Sequence, residues 1–310
     1  MYTPLLHIEK LEKSFRVGKQ TLQALKPTTL TIRSGETLAL VGESGCGKST
    51  LGRTLLRLYE PTGGKVFFKG CEITALSPRE LKAMRRHMQI IFQDPFSSLN
   101  PRMTIGDILA EPLKIHLPKS PHQKRVFELL DLVNLPKNCI GRFPHEFSGG
   151  QRQRIVIARA LALSPEFIVC DEPISALDVS IQAQIANLLL TLQKELKLTY
   201  LFIAHDLAMV KVLANRIAVM YLGEIVEIGP AEEILTHPKH PYTQLLLSSI
   251  PELNNPTPSL FSFEPPSPLK PPSGCPFSTR CPKAGLQCFQ KKPCLEEVAP
   301  GHSAACFLLY

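Results

Sequence analysis

A glycine-rich stretch near the N-terminus has the residues and the spacing needed to bind phosphate groups. It runs from Gly42 to Thr50, directly after the apolar run Thr37–Val41 and directly before a helical pattern that starts at Leu51. Glycines let backbone N–H groups converge on phosphate oxygens, and the N-terminus of the following helix adds positive potential. The pattern therefore predicts a phosphate-binding loop, or P-loop, in a strand–loop–helix setting.

Individual residues of the P-loop have separate expected roles in binding ATP and Mg²⁺. Lys48 is expected to reach the β- and γ-phosphates, and Ser49 to place its hydroxyl on the metal ion. Cys46 has two interpretations, a small filler or a helix-start thiol with a lowered pKa and sensitivity to alkylation. The predicted nucleotide contacts in the loop are Gly42, Glu43, Ser44, Gly45, Cys46, Gly47, Lys48, Ser49 and Thr50.

A pair of carboxylates, Asp171 and Glu172, follows a second apolar run, Phe167–Cys170. Phosphoryl transfer to water needs a carboxylate for the metal ion and a group that orients the attacking water. We expect Asp171 to act on Mg²⁺ and Glu172 to serve as the general base. Such a pair alone can simply end a strand in solvent, but together with a P-loop it indicates a nucleotide hydrolase.

The segment Phe147–Gln151 reads FSGGQ and narrows the choice among P-loop proteins. It resembles the LSGGQ signature of ABC-transporter ATPases, with Phe in place of the usual first Leu, and further motifs of that family follow in order over residues 5 to about 250. The resemblance implies a set of additional roles: Gln93 as the catalytic Q-loop glutamine near Mg²⁺, Ser175–Asp178 as the D-loop with Asp178 near the nucleotide, His205 as the catalytic switch histidine, and Phe15 as the aromatic that stacks on adenine. Three of these residues also have a structural interpretation, Gln93 as a surface amide, His205 as a hydrogen-bonded residue at a strand end, and Phe15 as a core aromatic.

The signature also bears on assembly. Ser148, Gly149 and Gly150 precede Gln151–Ala162, which is predicted to be helical, so the chain has two helix starts suited to anions but one acidic pair. In the family, the signature of one subunit closes over ATP held by the P-loop of another. Ser148, Gly149, Gly150 and Gln151 are therefore expected to act in trans, and hydrolysis to open the clamp.

Apolar runs alternate with helical stretches up to residue 250, which is typical of an α/β domain. Ile181–Leu196 has the length and periodicity of a helix. The resemblance implies a P-loop NTPase cassette in residues 1–250, with a RecA-like core, an antiparallel β subdomain and a helical subdomain at about 94–162. Residues 251–310 are then a Pro- and Cys-rich extension. Its first part, Pro251–Pro272, contains eight of the 28 prolines and is predicted to be an extended linker.

Five of the nine cysteines lie in this C-terminal extension. The segment Met1–Phe15 lacks the apolar stretch of a secretory signal, so we expect a reducing compartment and a metal site in preference to disulfides. The spacings CX5C, CX6C and CX17C are looser than those of a zinc ribbon, and an iron–sulfur cluster, a structural Zn²⁺ ion and unliganded thiols all stay open.

The segments His240–Leu247 and Gly274–Cys306 resemble the C-terminal element of ATPases that serve oligopeptide and dipeptide importers, a group that includes nickel and glutathione systems. This DppF/OppF-type resemblance implies a [4Fe–4S] cluster on four cysteines, with Cys294 as a spare thiol. The implied ligands are Cys275, Cys281, Cys288 and Cys306.

The resemblance implies ATP hydrolysis that energises the import of di- and oligopeptides, with nickel or another small solute as the alternative substrate. The implied partners are a second ATPase of the DppD/OppD type, two membrane-spanning permease subunits and, indirectly, an extracytoplasmic substrate-binding protein. The chain lacks an apolar run of about 18 residues, so we expect a partner to supply any membrane span. The resemblance implies a peripheral position at the cytoplasmic face of the inner membrane.

Two other classes of ABC ATPase are disfavoured by the sequence. Soluble members that act in translation carry two cassettes, whereas this chain has one, and DNA-repair members insert zinc modules or coiled coils where this chain has about a hundred residues without a heptad run.

The net charge of +8 favours an anionic partner. No cluster of Lys and Arg is interleaved with aromatic residues, however, so we do not expect nucleic acid as a partner. Glu172 and His205 also argue against a regulatory cassette without activity.

Overall fold

The computed structural model describes residues 4–119, 121–175, 177–205, 207–248 and 266–309. Within that part, the strands are β1 Pro4–Val17, β2 Gln20–Arg33, β3 Thr37–Val41, β4 Gly63–Phe68, β5 Cys71–Glu72, β6 Met88–Ile91, β7 Phe167–Asp171, β8 Thr199–Ala204, β9 Arg216–Tyr221, β10 Glu224–Pro230, β11 Glu296–Ala299 and β12 His302–Ala304. The α-helices are α1 Lys48–Leu55, α2 Pro78–Met84, α3 Pro95–Ser98, α4 Ile105–His116, α5 His122–Leu132, α6 Gly149–Leu161, α7 Val179–Leu196, α8 Leu207–Leu213, α9 Ala231–Thr236, α10 Pro241–Ser248 and α11 Leu286–Gln290. The mixture of strands and helices confirms the predicted α/β class.

The chain divides into two compact units. The P-loop unit consists of Met1–Ile32, Thr37–Thr74 and Ile203–Tyr310, and the signature unit of Arg33–Glu36 and Ala75–Phe202. The P-loop unit therefore includes the described part of the predicted C-terminal extension. The predicted boundary near residue 250 and most of the predicted linker, residues 251–265, lie outside the described residues.

The P-loop unit contains a sheet in the order β11-β12-β10-β9-β3. Strand β3 pairs in parallel with β9, while β9, β10, β12 and β11 form successive antiparallel pairs. All five residues of β3 are buried, as a strand covered on both faces requires. The strands of the C-terminal region therefore extend the same sheet that carries the strand leading into the P-loop.

A second sheet of the same unit has the order β2-β1-β4-β5. Strand β1 pairs with β4 in antiparallel register, with Leu6 opposite Phe68 and Ile8 opposite Val66. These four side chains are buried, so alternate residues of β1 line one apolar face. The pairs β1–β4 and β4–β5 are antiparallel, as in the antiparallel β subdomain that the family resemblance implies.

The signature unit contains the strand order β8-β7-β6, with β6 parallel to β7 and helices before and after them. Strand β7 is one residue longer than predicted and ends at Asp171. Helix α7 starts at Val179, before the predicted Ile181, because the Asp178 side chain accepts a hydrogen bond from the Ile181 N–H. Side-chain caps thus set helix starts that hydrophobic periodicity alone misplaces by two residues.

Candidate functional site

The P-loop connects β3 to α1, and its backbone could not accommodate side chains at two of its glycines. A Cβ on Gly42 would collide with the carbonyl oxygen of Met220, and one on Gly47 with that of Ala24. Gly47 also has φ of 110°, in the left-handed region that L-residues rarely adopt. Gly47 is the N-cap of α1 and offers no side-chain oxygen to the first N–H groups, which suits an exogenous anion.

Lys48 is buried within the loop that it is predicted to complete. Its Nζ donates hydrogen bonds to the carbonyl oxygens of Gly42 at 2.8 Å and Glu43 at 2.9 Å. The ammonium group is therefore held by the backbone of the predicted phosphate-binding loop.

Cys46 lies 3.9 Å from the same ammonium group, measured from Sγ to Nζ of Lys48. Burial raises the pKa of Cys46, and the opposing charge of Lys48 is the smaller effect. The interpretation of Cys46 as an activated thiol with a lowered pKa is therefore wrong, and its role as a small buried filler fits the structure.

Phe15, the predicted adenine-stacking residue, is half-buried near the end of β1. Its ring meets that of Tyr59 edge-on at 5.4 Å between centroids, and Lys13 Nζ lies 4.9 Å from the Phe15 centroid. Phe15 is therefore not a core aromatic, although its role in stacking on a base stays a prediction.

Gln93 and Glu172 are brought together in the signature unit, although they lie 79 residues apart. Gln93 Nε2 donates a hydrogen bond to Glu172 Oε2 at 3.0 Å. Asp171, at the end of β7, is buried, whereas Glu172 is half-buried and Gln93 is exposed. The predicted metal-binding carboxylate, Asp171, is therefore buried. The predicted general base, Glu172, is hydrogen-bonded to the side-chain amide of Gln93.

Glu172 has an unusual backbone conformation, with φ of 50°. A non-glycine residue in the left-handed region is strained by about 1–3 kcal/mol, and such residues concentrate at functional sites. The Glu172 carbonyl accepts hydrogen bonds from the N–H and the hydroxyl of Ser175. No local sequence signal points to this conformation, which turns the chain at the predicted general base.

The signature residues form the start of α6. The Ser148 hydroxyl accepts a hydrogen bond from the Gln151 N–H, and the Gln151 side chain accepts one from the Ser148 N–H, forming a capping box. A Cβ on Gly150 would come 2.6 Å from Cγ2 of Ile181, and one on Gly149 3.4 Å from Cδ2 of Leu177. The contact at Gly149 is an ordinary van der Waals distance, whereas at Gly150 a side chain would collide with the start of α7.

Asp178 and His205 each lie at the end of a regular element, Asp178 at the start of α7 and His205 after β8. The Asp178 carboxylate caps α7, and the Ile181 N–H lowers its pKa, with the Ser180 hydroxyl as the next cause. His205 is exposed directly after β8. Ala176 of the predicted D-loop, and Asp206 beside the predicted switch histidine, lie outside the described residues.

The four predicted cluster cysteines lie in the P-loop unit, where Cys275 and Cys288 are buried. The Cys275 N–H donates to the Cys288 carbonyl at 2.7 Å. Burial raises the pKa of Cys275 to about 11, and the charges of Cys288, Cys306 and Cys281 contribute to the increase. Cys294, the predicted spare thiol, is exposed.

Those thiols are close enough to influence one another electrostatically, but they do not form a single-ion site. Within the described residues, no group of three or more His, Cys, Asp or Glu side chains is arranged to hold a metal ion. Among the described residues, the structure therefore gives no support to a metal site in this region, whether for a Zn²⁺ ion or for an iron–sulfur cluster.

The sequence did not predict two contacts to the P-loop, one from Tyr242 of α10 and one from Arg280 of the C-terminal extension. Together, α10 and this extension are called the C-terminal region below. Arg280 forms a bidentate ion pair with Glu43, and the Tyr242 hydroxyl accepts a hydrogen bond from the Glu43 N–H. The partners lie 237 and 199 residues apart, and no local pattern could have paired them.

In the part of the chain that the structure describes, no helix is both long enough and apolar enough to span a membrane.

Comparisons with known proteins identify the family of the chain. Residues 25–175 match the ABC transporter family, and residues 226–288 match the oligopeptide/dipeptide transporter C-terminal region. The chain is 55% identical to the putative oligopeptide transport ATP-binding protein YkfD of Bacillus subtilis, over 98% of this chain and 95% of that protein. It is 51% identical to the oligopeptide transport ATP-binding protein OppF of Escherichia coli, over 97% and 95% of the two chains.

Solved structures give the same result for the fold. The chain is similar to the ATP-binding cassette MJ0796, solved as a dimer in a post-hydrolysis state bound to ADP and Pi, with a TM-score of 0.67 and 30% identity over 73% of this chain and 98% of that one. A second similar structure is cbiO1 of Clostridium perfringens, part of the ABC transporter complex cbiONQ, with a TM-score of 0.67 and 28% identity over 76% and 91% of the two chains. The predicted ABC cassette fold is thereby confirmed. The chain belongs to the ATP-binding proteins of the ABC transporter family, in the group that carries the oligopeptide/dipeptide transporter C-terminal region.

Proposed function

We propose that this chain binds and hydrolyses ATP to energise an ABC importer of di- and oligopeptides. The observation that carries the nucleotide chemistry is the buried Lys48 ammonium group inside the P-loop, at 2.8 Å and 2.9 Å from two loop carbonyls. The peptide substrate is supported by full-length similarity to oligopeptide transport ATP-binding proteins.

The roles of the site residues follow from their positions. Lys48 is proposed to release its loop carbonyls and bind the β- and γ-phosphates when ATP enters. Ser49 and Asp171 are proposed to hold Mg²⁺, directly or through water, with Gln93 beside it. A bound Mg²⁺ ion would neutralise the charge that develops on the transferred phosphoryl group.

Glu172 is proposed to orient and deprotonate the attacking water, assisted by His205. Its left-handed backbone directs the carboxylate to Gln93, at 3.0 Å from Oε2 to Nε2. The amide fixes the orientation of the base, which helps because a general base must meet the water within hydrogen-bonding distance.

The partners are proposed from the family. A second ATPase subunit would supply ATP to the signature residues Ser148–Gln151, and two permease subunits would receive the closing motion. The start of α6 supports this role, because its first turn has no acidic side chain that would repel an anion. In such an assembly the chain would lie at the cytoplasmic face of the membrane.

The four cysteines of the C-terminal region are proposed to hold a [4Fe–4S] cluster. Thiolates are the ligands that such clusters use. Burial raises the pKa values of Cys275, Cys281 and Cys306, and the charges of neighbouring thiols add to each increase. A four-iron cluster is wider than one ion, so it can bind thiols that do not converge on a single point. The cluster would cross-link the region through four Fe–S bonds, formed by Cys275, Cys281, Cys288 and Cys306.

Iron and acid-labile sulfide analysis of anaerobically purified protein tests the cluster. We expect about four iron and four sulfide per chain, a loss of both in Cys275→Ser, and retention in the exposed control Cys294→Ser. A colourless protein that contains only zinc would contradict the proposal.

Glu172→Gln tests the proposed catalytic role. We expect the ATP turnover number to fall by about 10²–10⁴-fold, because the amide cannot accept the proton of water. ATP binding should be retained, and the ATP-bound dimer of cassettes should be more stable. The same substitution at Glu195, an exposed residue of α7, provides the control. Turnover equal to that of the parent protein would refute the assignment of the base.

The transported substrate is tested in vesicles that contain the complete importer. We expect peptides, presented with the substrate-binding protein, to stimulate ATP hydrolysis. Stimulation by nickel and not by peptides would favour the alternative substrate.

A further inference from the structure

The C-terminal region reaches the P-loop through one arginine. Arg280 Nη1 and Nη2 donate to the two carboxylate oxygens of Glu43, each at 2.8 Å. Arg280 is 8% exposed, and Glu43 is the second residue of the predicted nucleotide-binding loop. Such a fork-to-fork pair is stronger and more directional than a single ion contact.

Aromatic packing fixes the position of the guanidinium group before any ligand arrives. Its central carbon lies 5.8 Å from the ring centroids of both Tyr221 and Phe277, and Nη1 lies 3.5 Å from the Tyr221 hydroxyl. The Arg280 N–H also donates to the Phe277 carbonyl at 3.0 Å. Arg280 is therefore held by both its backbone and its side chain.

A second residue holds the backbone of Glu43. The Tyr242 hydroxyl, fully buried, accepts a hydrogen bond from the Glu43 N–H at 2.9 Å. The ring centroids of Tyr242 and Tyr221 lie 4.5 Å apart. Tyr242, which binds the Glu43 N–H, therefore packs against the same ring as Arg280, which binds the Glu43 carboxylate. The Glu43 carbonyl, in turn, accepts from Lys48 Nζ at 2.9 Å. Glu43 is thus fixed at its N–H, its carboxylate and its carbonyl.

The charge of Glu43 gives this arrangement a consequence for nucleotide binding. A carboxylate in a loop that receives a polyanion repels that ligand unless a cation neutralises it. The ion pair turns the Glu43 carboxylate towards Arg280 and supplies the neutralising charge from a partly buried position, where screening by solvent is weak.

We propose that Arg280 is a positioning residue for ATP binding, which acts through Glu43 to offset the charge of that carboxylate and to keep the P-loop shaped for phosphate. The inference rests on the proposed function, because it assumes that the loop binds ATP. It gives the C-terminal region a role at the nucleotide site that is separate from the proposed cluster.

Calorimetric titration of the full-length chain with Mg–ATP tests the proposal, together with steady-state ATPase measurements. We expect Arg280→Gln to raise the dissociation constant for ATP about tenfold, equivalent to about 1.4 kcal/mol. The turnover number at saturating ATP should change by less than about twofold, because Arg280 does not contact the reacting atoms. Arg280→Lys should recover part of the affinity, since it restores the charge without the fork.

The double variant Arg280→Gln/Glu43→Gln separates a charge effect from a loss of structure. Removing the carboxylate also removes the repulsion, so the double variant should bind ATP several-fold more tightly than Arg280→Gln. Glu43→Gln alone gives the reference. Lys292→Met is the control, because it breaks another ion pair of the C-terminal region, with Glu224 at 2.6 Å, that does not involve Glu43.

Each result decides a separate question. A parent chain that does not bind ATP would overturn the proposed function. If the parent chain bound ATP and Arg280→Gln bound it with the same affinity, the role of Arg280 would be refuted while the proposed function would stand. An affinity loss that Lys292→Met reproduces, or that the double variant does not relieve, would show general damage to the fold and would also overturn the inference.

Discussion

A buried carboxylate, Glu227 of β10, provides the sharpest test of how the C-terminal region is attached. It is 0% exposed and accepts three hydrogen bonds. The Lys239 N–H and His302 Nε2 lie 2.7 Å from Oε1, and the His240 N–H lies 3.0 Å from Oε2. His302 begins β12, so this network ties the C-terminal strands to β10 in addition to the strand pairing. We predict that Glu227→Gln weakens the attachment.

The magnitude follows from the number of donors. An amide has one oxygen where the carboxylate has two, so its NH₂ group must face at least one of the three donors. In the least costly orientation it faces the His240 N–H, which loses one hydrogen bond to a charged acceptor, worth about 1.5–3 kcal/mol. The two remaining bonds also lose their charge assistance. We therefore expect a loss of about 3 kcal/mol, which corresponds to a fall in melting temperature of roughly 6–12 °C.

Thermal unfolding of the full-length chain measures the total effect, and hydrogen exchange locates it. The Ala305 N–H donates to the Val226 carbonyl at 2.8 Å, next to the network, and should exchange faster in Glu227→Gln. Glu232→Gln, at an exposed position of α9, is the matched control. If both variants melted within about 1 °C of each other and Ala305 exchanged at its original rate, the network would not hold the region.

Two further predictions concern titratable groups. Burial lowers the pKa of His240 to about 4 from its ordinary value of 6.5, so between these values the unfolded chain binds a proton that the folded chain does not. Stability should therefore fall by up to ~3 kcal/mol as the pH drops from 6.5 to 4, and His240→Asn should flatten that slope in urea titrations at several pH values. Cys46 is 5% exposed and burial raises its pKa, so iodoacetamide should modify it far more slowly than Cys294, and Mg–ATP should slow it further. Equal rates at the two cysteines would contradict the described loop.

The local chemistry of the site could be predicted because it depends on neighbours in sequence. The P-loop follows a strand that starts and ends as predicted, at Thr37 and Val41. The capping box of Ser148 and Gln151 joins residues three positions apart, which a sequence pattern can express. The hydrogen bond between Gln93 and Glu172 agrees with roles that the family resemblance implies for both residues.

Other features depend on which distant residues the fold brings together. Arg280 could pair with any of 27 acidic residues, and the folded chain places it beside Glu43, with its guanidinium group against Tyr221 of β9. The left-handed conformation of Glu172 is equally invisible, since glutamate has no preference for it. Long-range pairing and imposed backbone strain are set by tertiary structure, and a single sequence carries no local signal for either.

A three-residue segment, His240–Tyr242, joins the two networks of the P-loop unit. The His240 N–H binds the Glu227 carboxylate, and the Tyr242 hydroxyl binds the Glu43 N–H. The segment is itself stiff, because His240 Nδ1 accepts the Tyr242 N–H at 3.0 Å and both side chains are buried. A displacement of the C-terminal strands would therefore move a rigid turn that ends on the P-loop. The sequence similarity that identifies this segment with peptide importers thus coincides with a physical connection between the C-terminal region and the nucleotide site.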